Sequence, residues 1–584
     1  MQKNYWIFFT IFLLTFVACT QEQIDNLLYT NKQPRIDKVR NDSLLIEQLC
    51  ETLTNGLLDE DKTKMVSKNG LTNISDELIK VYLSKNFEQL RWQNTIGQTP
   101  KETISQYIDY LRKAEENGLT SENYKLSDIE NRFKEVYPPA PKIDTTARAN
   151  KDNKSNPPLP PPKDLQQMID LDLVLSESYL NYASDLLYGN FRPKNRNWEV
   201  VQRERNLGEM LDKALNDNNI AASLQSLNPS PKNFVDFQKH FKNYLDISKK
   251  GIWKPIASAT PFRKGKSSDE VLQLAGMLAA IGDLPADKAN SNTFDNDFIT
   301  AIKNYQTRNG LAITGAMDGA TLKSLNMPIE ERIALLKLNM NRYRWIPDNL
   351  GERYVWANIP EFMISVYDGD KRTTEIVSVV GEYKNMTPIL IDRPMQNIIF
   401  SPTWTIPQSI AKEDLEFIKK NPGVLIVADV EVFLKGKKVN PYKVDWNKVN
   451  WKNVKMKQKP KDTNSMGRAK FMFTNNHSIY LHDTPNKVDF KSRVRSFSHG
   501  CIRVGDPALF AQHLLTGNDA WTNQKIRNAM FSEKERFVKP PKSTRVHLVY
   551  FTAWADDDGK LQFRRDIYYH DKRQLKSMNE VVEL

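Results

Sequence analysis

Cysteine is scarce in this chain, and its one strongly apolar stretch near the N-terminus is short. Three cysteines among 584 residues do not provide a disulfide framework. The apolar stretch, residues 5–18, falls short of the roughly 20 residues needed to span a bilayer. No basic run is interleaved with aromatic residues, so the sequence gives no indication of nucleic-acid binding. These absences leave an ordinary globular composition, with 40% hydrophobic and 26% charged residues.

Length and net charge set further bounds. Single hydrophobic cores seldom grow past about 250 to 300 residues, so a chain of 584 residues is expected to form several domains. The formal net charge is +12 and the isoelectric point is near 9.1. Such a charge fits an anionic environment of wall polymers or lipid headgroups, and it equally fits a basic surface kept for solubility.

The N-terminus, residues 1–19, has the pattern of a signal peptide. Lys3 precedes the apolar stretch, and Cys19 follows it in Phe16-Val17-Ala18-Cys19, which resembles a bacterial lipobox. We therefore expect cleavage before Cys19 and lipidation of its thiol, with an uncleaved anchor or simple secretion as alternatives. Each alternative places residues 20–584 outside the cytoplasm. Cys50 and Cys501 are expected to be free thiols, although a disulfide between them stays open.

Apolar periodicity divides the rest of the chain by secondary structure. Residues 40–255 show helical spacing, interrupted by a proline-rich polar insertion at 137–164 that cannot bury a core. Within this region, apolar positions from Leu171 to Leu186 predict a helix that stops at Gly189. A second helical segment follows at 268–327, where Tyr305 is expected to be a core aromatic residue rather than a sugar platform. From 332 to 575 the pattern changes to short β-like runs, at 354–359, 362–367, 376–380, 397–400, 425–432, 470–473, 478–481 and 546–551. Asp506-Pro507 predicts the N-cap and first turn of a helix. A Lys-, Trp- and Asn-rich insertion at 440–462 is either a mobile lid or a disordered surface loop. The fold class predicted is multidomain α+β.

The residues with the clearest chemical content are Cys501 and His482. A thiol needs a base to take its proton before it can act as a nucleophile, and an imidazole does this near neutral pH. The 19 positions between them fit two adjacent strands with both side chains facing each other. Gly500 permits a backbone turn in which N–H groups face a developing oxyanion. If the segment is extended, Arg503 shares a face with Cys501 and suits a carboxylate ligand.

The same residue types are also those of a zinc site, which we considered as an alternative. His477 and His482 are five residues apart on a predicted strand, so they point to opposite faces. No second cysteine accompanies Cys501 nearby. The sequence therefore predicts neither a metal site nor a cofactor.

The run Ser498-His499-Gly500-Cys501, with His482 upstream, resembles the signature of the YkuD-type L,D-transpeptidases. Segments 387–388, 402–407 and 464–468 also match the family pattern. Arg503 stands where that pattern often has Asn, which looks like a large subfamily with an inserted wall-binding module. The resemblance spans roughly 75–575. It implies a helical scaffold domain at 40–255, a small helical peptidoglycan-binding module at 268–327 and a mostly β catalytic domain at 332–575 with the lid-like insertion.

The resemblance also implies an activity. The enzyme would cross-link third residues of peptidoglycan stem peptides through a Cys501 thioester, with release of D-Ala and sensitivity to carbapenems. His482 would be the general acid and base and Gly500 part of the oxyanion loop. The residues implied in substrate binding are Arg503, Ser498, His499 and Tyr480.

Several alternatives to this activity stay open at the level of sequence. They are an L,D-carboxypeptidase, a protein-anchoring enzyme and a non-catalytic wall-binding scaffold. The partners implied are peptidoglycan stem peptides and glycan, with a membrane reached through the lipid anchor and no nucleic acid. The expected location is the cell envelope, in the periplasm.

Overall fold

A computed structural model of the chain describes residues 78, 81–82, 90–93, 100–138, 165–193, 197–257 and 262–578. The predicted leader with Cys19, the thiol of Cys50 and nearly all of the proline-rich insertion 137–164 lie outside this range. The chain divides into two compact units. One holds the described residues up to Asn190 together with Glu204–Asn228, and the other holds Phe191–Arg203 and the chain from Pro229. In the described part of the chain, no helix is both long and apolar enough to cross a membrane.

The first unit is helical, as the apolar spacing predicts. Its core is rich in aromatic residues, including Trp92, Tyr107 and Tyr179, which contact one another at centroid distances of 5.3 to 6.1 Å. Buried Asp172 accepts hydrogen bonds from the Tyr82 hydroxyl at 2.6 Å and from backbone N–H groups at 2.8 Å. The helices are α1 Glu102–Arg112, α2 Leu126–Val136, α3 Leu165–Tyr188, α4 Leu207–Asn216 and α5 Ile220–Gln225.

The second unit starts with one short strand and five helices. Tyr305 is fully buried and its hydroxyl accepts a hydrogen bond from Arg332 at 2.6 Å, which confirms the prediction of a core aromatic residue. The side chain of Asp318 accepts from the Thr321 N–H at 2.8 Å, as an N-cap does. The elements are β1 Trp198–Glu199, α6 Lys232–Lys249, α7 Asp269–Ala280, α8 Asn296–Arg308, α9 Gly319–Leu325 and α10 Ile329–Tyr343.

An 11-stranded sheet dominates the rest of the second unit. Its main order is β1-β5-β10-β11-β13-β4-β3-β2-β15, and β15 also pairs with β5, so the sheet curls back on itself. β12 pairs with β4 and β14 with β5. The strands are β2 Arg353–Asn358, β3 Met363–Asp368, β4 Lys371–Gly381, β5 Ile389–Phe400, β10 Ala469–Phe473, β11 Leu481–His482, β12 Ser496–Ser498, β13 Ile502–Val504, β14 Arg536–Val538 and β15 Thr544–Val549.

Between β5 and β10 the chain forms a smaller structure, which we call the insertion subdomain (residues 404–458). It has a four-stranded sheet in the order β6-β9-β7-β8 and its own apolar core, which includes Val432, Trp446 and Met456. Its elements are β6 Trp404–Ile406, α11 Gln408–Glu413, α12 Leu415–Lys420, α13 Val424–Val427, β7 Val430–Leu434, β8 Lys437–Val439 and β9 Val454–Gln458.

The insertion subdomain differs from the sequence expectation in two ways. Residues 425–432 were expected to be one strand, but they begin in α13 and enter β7 only at Val430. A short apolar run does not distinguish a helix from a strand by periodicity, which explains this error. The predicted insertion 440–462 is also only part of a larger folded structure, because β9 pairs with β6 and β7.

The elements at the C-terminal end support the sheet. Asp506 accepts a hydrogen bond from the Leu509 N–H at 2.9 Å and Pro507 opens the helix, which confirms the predicted N-cap. These elements are α14 Pro507–Leu515, α15 Asn523–Met530, β16 Ala553–Ala555, β17 Leu561–Phe563 and α16 His570–Ser577, with β16 and β17 forming a hairpin.

Candidate active site

Three adjacent strands of the large sheet carry a row of ionisable side chains. β11 lies between β10 and β13, and its register pairs His482 with Lys470 on one side and with Arg503 on the other. Paired residues on neighbouring strands point to the same face of a sheet, so the three side chains form a row across it. The opposite face carries Phe471, Leu481 and Ile502, which are fully buried, so the core fixes which face the row occupies.

Cys501 lies directly before β13, two residues before Arg503. It precedes Ile502, whose backbone N–H donates to the Tyr480 carbonyl at 3.2 Å, so Cys501 and Tyr480 are neighbours across the two strands. The Tyr480 ring meets the His482 ring edge-on with centroids 5.8 Å apart. The Cys501 Sγ lies 3.9 Å from the Ser478 carbonyl oxygen. The charges of Lys470 and Arg503 act on the Cys501 thiol, so the thiol lies near the row that also contains His482.

His482 is held in one tautomer by the backbone. Its side chain is 3% exposed, and Nδ1 contacts the carbonyl oxygen of Asp483. A carbonyl accepts hydrogen bonds and does not donate them, so Nδ1 carries the proton and Nε2 of the neutral ring keeps its lone pair. Burial lowers the pKa of His482 to about 3, with the positive charges of Arg503, Lys470 and Lys487 adding to the effect. The imidazole is therefore neutral near pH 7 and able to accept a proton.

The thiol of Cys501 is also neutral in this state. Burial raises its pKa, while a backbone hydrogen bond from Tyr480 and the charges of Lys470 and Arg503 act in the opposite direction. Cys501 is a free cysteine. The site at rest therefore holds a neutral thiol and a neutral imidazole, and the nearby cations favour the thiolate once the proton moves.

Lys470 is a component that the sequence reading missed. Its ammonium lies 3.7 Å from the centre of the Tyr480 ring, and burial lowers its pKa. Alternation along the predicted strand 470–473 separates Lys470 from the core residues Phe471 and Phe473, a signal available from the sequence. The pairing of Lys470 with His482 was not available, because register between distant strands is not visible in a periodic pattern.

The loop before the nucleophile is tightly braced. Gly500 has φ +106°, a conformation that favours glycine. Its N–H donates to the Ser498 hydroxyl at 3.2 Å, and that hydroxyl donates to the Cys501 carbonyl. The carbonyl of Gly500 accepts from the Thr387 hydroxyl at 2.8 Å, which itself accepts from the Gly381 N–H at 2.9 Å. In this state the Gly500 N–H is therefore engaged within the loop, unlike the oxyanion donor expected from sequence.

Three of the residues implied in substrate binding have different surroundings, and their role stays a prediction. Ser498 is 2% exposed and braces the loop. His499 is exposed, and its Nε2 lies 3.2 Å from a carboxylate oxygen of Glu413 in α11 of the insertion subdomain. Tyr480 lies next to the thiol, where burial raises the pKa of its hydroxyl.

The arginines around the nucleophile have three different environments. Arg503 lies on the reactive face and forms an ion pair with Asp489 at 2.8 Å. Arg495 donates to the backbone carbonyls of Ser378, Ser492 and Phe362, so it supports the loop. Arg493 is exposed. Arg503 is therefore the member of the three that stands beside the thiol.

Metal ligands do not converge in the described ranges. No group of three or more His, Cys, Asp or Glu side chains there has the geometry to hold a metal ion. His477 contacts a carboxylate oxygen of Glu199 in β1 at 2.7 Å.

Comparisons with known protein families match three segments of the chain. Residues 76–240 match the family described as "Scaffold domain", and residues 267–325 match "Putative peptidoglycan binding domain". Residues 352–526 match "L,D-transpeptidase catalytic domain" of the YkuD family, which includes His482 and Cys501. The three segments follow one another in the order that the sequence resemblance implies.

A curated relative and two solved structures are similar over part of the chain. The "Putative L,D-transpeptidase" of Haemophilus influenzae is 28% identical over 240 residues, which are 41% of this chain, and the chain spans about half (48%) of that relative's length. An L,D-transpeptidase from Xylanimonas cellulosilytica has 14% identity and TM-score 0.16, covering 51% of this chain and 100% of that one. An L,D-transpeptidase from Stackebrandtia nassauensis has 13% identity and TM-score 0.19, and the match covers 50% of this chain and 96% of that one.

TM-scores this low carry no argument on the fold, and the assignment rests on the family matches and the curated relative. The three matched families account for the helical first unit, the helices at 269–325 and the large sheet of the second unit. The chain therefore combines a segment that matches the YkuD L,D-transpeptidase catalytic domain with segments that match a scaffold domain and a peptidoglycan-binding domain.

Proposed function

We propose that the chain is an exported peptidoglycan L,D-transpeptidase that works through a cysteine thioester. The observation that supports this proposal is the register of β11 and β13, which pairs His482 with Arg503, two residues from Cys501, while Nε2 of the imidazole is unprotonated. Such a pair supports nucleophilic acyl transfer. The family match over residues 352–526 supports the choice of peptidoglycan stem peptides as substrate.

In the first half-reaction His482 Nε2 takes the thiol proton as Sγ attacks the carbonyl carbon of the third stem residue. The carbon–sulfur bond forms, the carbon–nitrogen bond to D-Ala breaks, and the imidazolium returns its proton to the leaving amine. In the second half-reaction Nε2 removes a proton from the side-chain amine of another stem as that amine attacks the thioester. Sγ leaves and recovers a proton from the imidazolium, so the enzyme returns to its starting state.

The backbone supplies the oxyanion donor in this proposal. Because the Gly500 N–H bonds to Ser498, we assign the role first to the N–H of Cys501 itself. The left-handed conformation of Gly500 orients that peptide, and Thr387 fixes the Gly500 carbonyl on the other side. One such donor contributes about 3 kcal/mol to transition-state stabilisation.

Arg503 and Lys470 make the site positively charged. A stem peptide presents a carboxylate, and the guanidinium of Arg503 binds carboxylates through paired hydrogen bonds. In this state Arg503 pairs with Asp489, so the substrate carboxylate would share or replace that partner. The same positive charge would attract the carboxylate of a carbapenem, and we propose that such a compound acylates Cys501.

The experiment that tests the activity uses residues 20–584 with disaccharide-tetrapeptide and mass spectrometry of the products. We expect a cross-linked dimer that has lost one D-Ala, absent with Cys501→Ala and with His482→Ala, while Lys455→Met, at an exposed lysine of β9, keeps it. Tripeptide alone would indicate a carboxypeptidase. Unchanged substrate with folded protein would contradict the catalytic proposal and favour a wall-binding scaffold. Intact mass after meropenem treatment should show one adduct on the active protein and none on Cys501→Ala.

Export and lipid anchoring at Cys19 are a separate part of the proposal, supported by the lipobox-like segment before it. Cells expressing the full chain and fed a clickable fatty acid should label the wild type and not Cys19→Ser. Label retained in the variant would contradict anchoring at this thiol and leave the catalytic proposal intact.

A further inference from the structure

Away from Cys501, the second unit has a cavity of about 900 Å³. Its floor is the outward face of β2, β3 and β4, where Tyr354 pairs with Tyr367 and Trp356 with Ser365. The walls come from the start of α6, the end of α10 with the loop after it, and the β16–β17 hairpin with Trp554. We call this cavity the aromatic cleft. Its volume is in the range of ligand sites, roughly 300 to 1,000 Å³.

Aromatic rings give the aromatic cleft flat apolar surfaces. Tyr354 and Tyr367 are stacked, with centroids 4.7 Å apart and ring planes within 6° of parallel. Trp356 lies beside them on β2, and Trp554 lies on the hairpin opposite. The remaining residues of β2 and β3 point the other way, since Val355, Ala357, Ile364 and Val366 are buried in the core. Trp554 also belongs to the buried core and Trp356 also stacks on Phe551, so these rings contact both the core and the cavity.

Part of the charge of the aromatic cleft is neutralised in place. Arg372 forms ion pairs with Glu375 and, at 2.9 Å, with Asp557. Asp236 pairs with Lys239 at 2.9 Å. The Glu361 carboxyl has its pKa raised to about 7 by burial, so it is partly protonated at neutral pH. The lining therefore offers hydrogen-bond donors and acceptors, and the carboxylates of Asp370 and Asp556 leave it with a negative charge that disfavours anions.

Two polar groups in the aromatic cleft lack a hydrogen-bond partner of good geometry among the described residues. The Tyr343 side chain is 2% exposed and lines the cavity, and its hydroxyl is one of the two. Burial raises the pKa of this hydroxyl, and a weaker backbone hydrogen bond from Ala555 lowers it. The second group is the amide oxygen of Asn233, which lines the same cavity. Buried polar atoms normally have partners, so a ligand that donates and accepts hydrogen bonds fits here.

We propose that the aromatic cleft binds a neutral, N-acetylated sugar chain, the glycan of the peptidoglycan on which the enzyme acts. Sugar rings present flat C–H faces that stack on tyrosine and tryptophan, and their edges carry hydroxyls and acetamido groups that hydrogen-bond to carboxyl, amide and phenol groups. Anionic polymers are disfavoured by the carboxylates Asp370, Asp556 and Asp557. The glycan identity rests on the proposed function, while the stacking and hydrogen-bonding chemistry does not.

The aromatic cleft would be a glycan site distinct from the segment matched as a peptidoglycan-binding domain, since that match covers residues 267–325 and no cleft residue falls within it. A second glycan contact on the catalytic unit would hold the strand near the site where its stem peptides react. Two contacts on one strand raise the effective concentration of the substrate even where each contact is weak.

The test is hydrogen–deuterium exchange of residues 20–584 with and without millimolar tetra-N-acetylchitotetraose. We expect slower exchange in the loops that rim the aromatic cleft, 348–351, 369–372 and 556–557. Tyr343→Phe removes the unpartnered hydroxyl and should reduce affinity about fivefold to tenfold with no loss of thermal stability. Tyr367→Ala removes half of the stacked pair and should abolish the protection. Tyr442→Phe, an exposed tyrosine of the insertion subdomain, is the matched control and should bind like the wild type.

Protection confined to residues 267–325, no protection at all, or affinity unchanged in both Tyr343→Phe and Tyr367→Ala would each overturn the proposal. Protection of the same loops by spermidine and not by the oligosaccharide would overturn it in favour of a cationic ligand. The same preparation is assayed for transpeptidation. Active protein without protection of the rim contradicts the aromatic cleft alone, whereas inactive protein with protection contradicts the catalytic proposal alone.

Discussion

The reactive face around Cys501 and the aromatic cleft treat charge in opposite ways. On the reactive face Lys470, Arg503 and Lys487 lie around one thiol and one imidazole, and their charges together with burial hold His482 neutral. In the aromatic cleft Arg372 forms ion pairs with Glu375 and Asp557, and burial raises the pKa of the Glu361 carboxyl to about 7. The first environment favours a thiolate and an anionic ligand, and the second favours a neutral ligand.

The largest effect that tests this contrast is expected from His482→Gln. Without a group to move the proton, the transpeptidation rate should fall by roughly a hundredfold to ten-thousandfold.

The His482→Gln variant also tests the lowered pKa of His482. Wild-type protein should lose stability as pH falls below about 6.5, where the unfolded histidine binds a proton and the folded one does not. Urea denaturation at pH 7 and pH 4.5 should show a smaller loss for His482→Gln. His499→Gln, at an exposed histidine, should behave like the wild type.

Lys470→Met should have the next largest effect. Removing a positive charge beside the thiol raises the thiol pKa, because the thiolate loses a favourable interaction. We expect about tenfold slower alkylation of Cys501 by iodoacetamide at pH 8, equivalent to roughly one pKa unit. The rate is measured against pH by mass spectrometry of the Cys501 peptide.

Two variants sharpen the Lys470 experiment. Lys470→Arg should retain most of the reactivity, and Lys455→Met, at an exposed lysine of β9, should leave the rate unchanged. An unaltered pH profile in Lys470→Met would show that Lys470 acts on packing rather than on the thiolate.

Glu361→Gln tests how the raised pKa of Glu361 in the aromatic cleft changes folding stability with pH. The folded pKa is raised to about 7 from a usual value near 4.5, so the wild type loses stability as pH rises from about 4.5 to 7. Glutamine does not ionise, so the variant should escape this loss. We expect it to match the wild type near pH 4, after any constant offset, and to gain up to about 3 kcal/mol by pH 8. Thermal melts across this range provide the measurement, and an equal pH dependence of both proteins would refute the raised pKa.

The smallest effect is expected from Arg372→Gln. Its partners are more than a third exposed, and such ion pairs contribute about 0 to 1 kcal/mol. The variant should lower the free energy of unfolding by no more than about 0.5 kcal/mol at low salt, with less effect in 1 M NaCl. A loss that persists in high salt would indicate that Arg372 contributes through packing.

The spacing of apolar residues along the sequence predicted many of the helices and strands. The expected strands at 354–359, 362–367 and 546–551 match β2, β3 and β15 within two residues at each end, because each alternates between a core side and an outer side. The predicted helix around Leu171–Leu186 is α3, which ends before Gly189 at φ +85°. These elements depend on neighbouring residues, which a sequence displays directly.

Features that depend on pairing between distant segments were not predictable. The row Lys470–His482–Arg503 needs the register of three strands, and the aromatic cleft needs β2 and β3 to meet α6 and the β16–β17 hairpin. The motif did identify Cys501 and His482, since the chemistry of a thiol and a base restricts the choice of residue types. The hydrogen bond that engages the Gly500 N–H was missed, because it depends on how the loop closes on Ser498.

The insertion subdomain leaves and re-enters the large sheet at one place. Trp404 in β6 pairs with Gln458 in β9, and just outside them Phe400 in β5 pairs with Ala469 in β10. A segment attached in this way behaves like a side branch, so it can be enlarged, trimmed or exchanged while β5 and β10 stay paired. The surface of the insertion subdomain near His499 can therefore change in sequence while the reactive strands keep their geometry. The same attachment point is a place where a segment with a different specificity could be inserted.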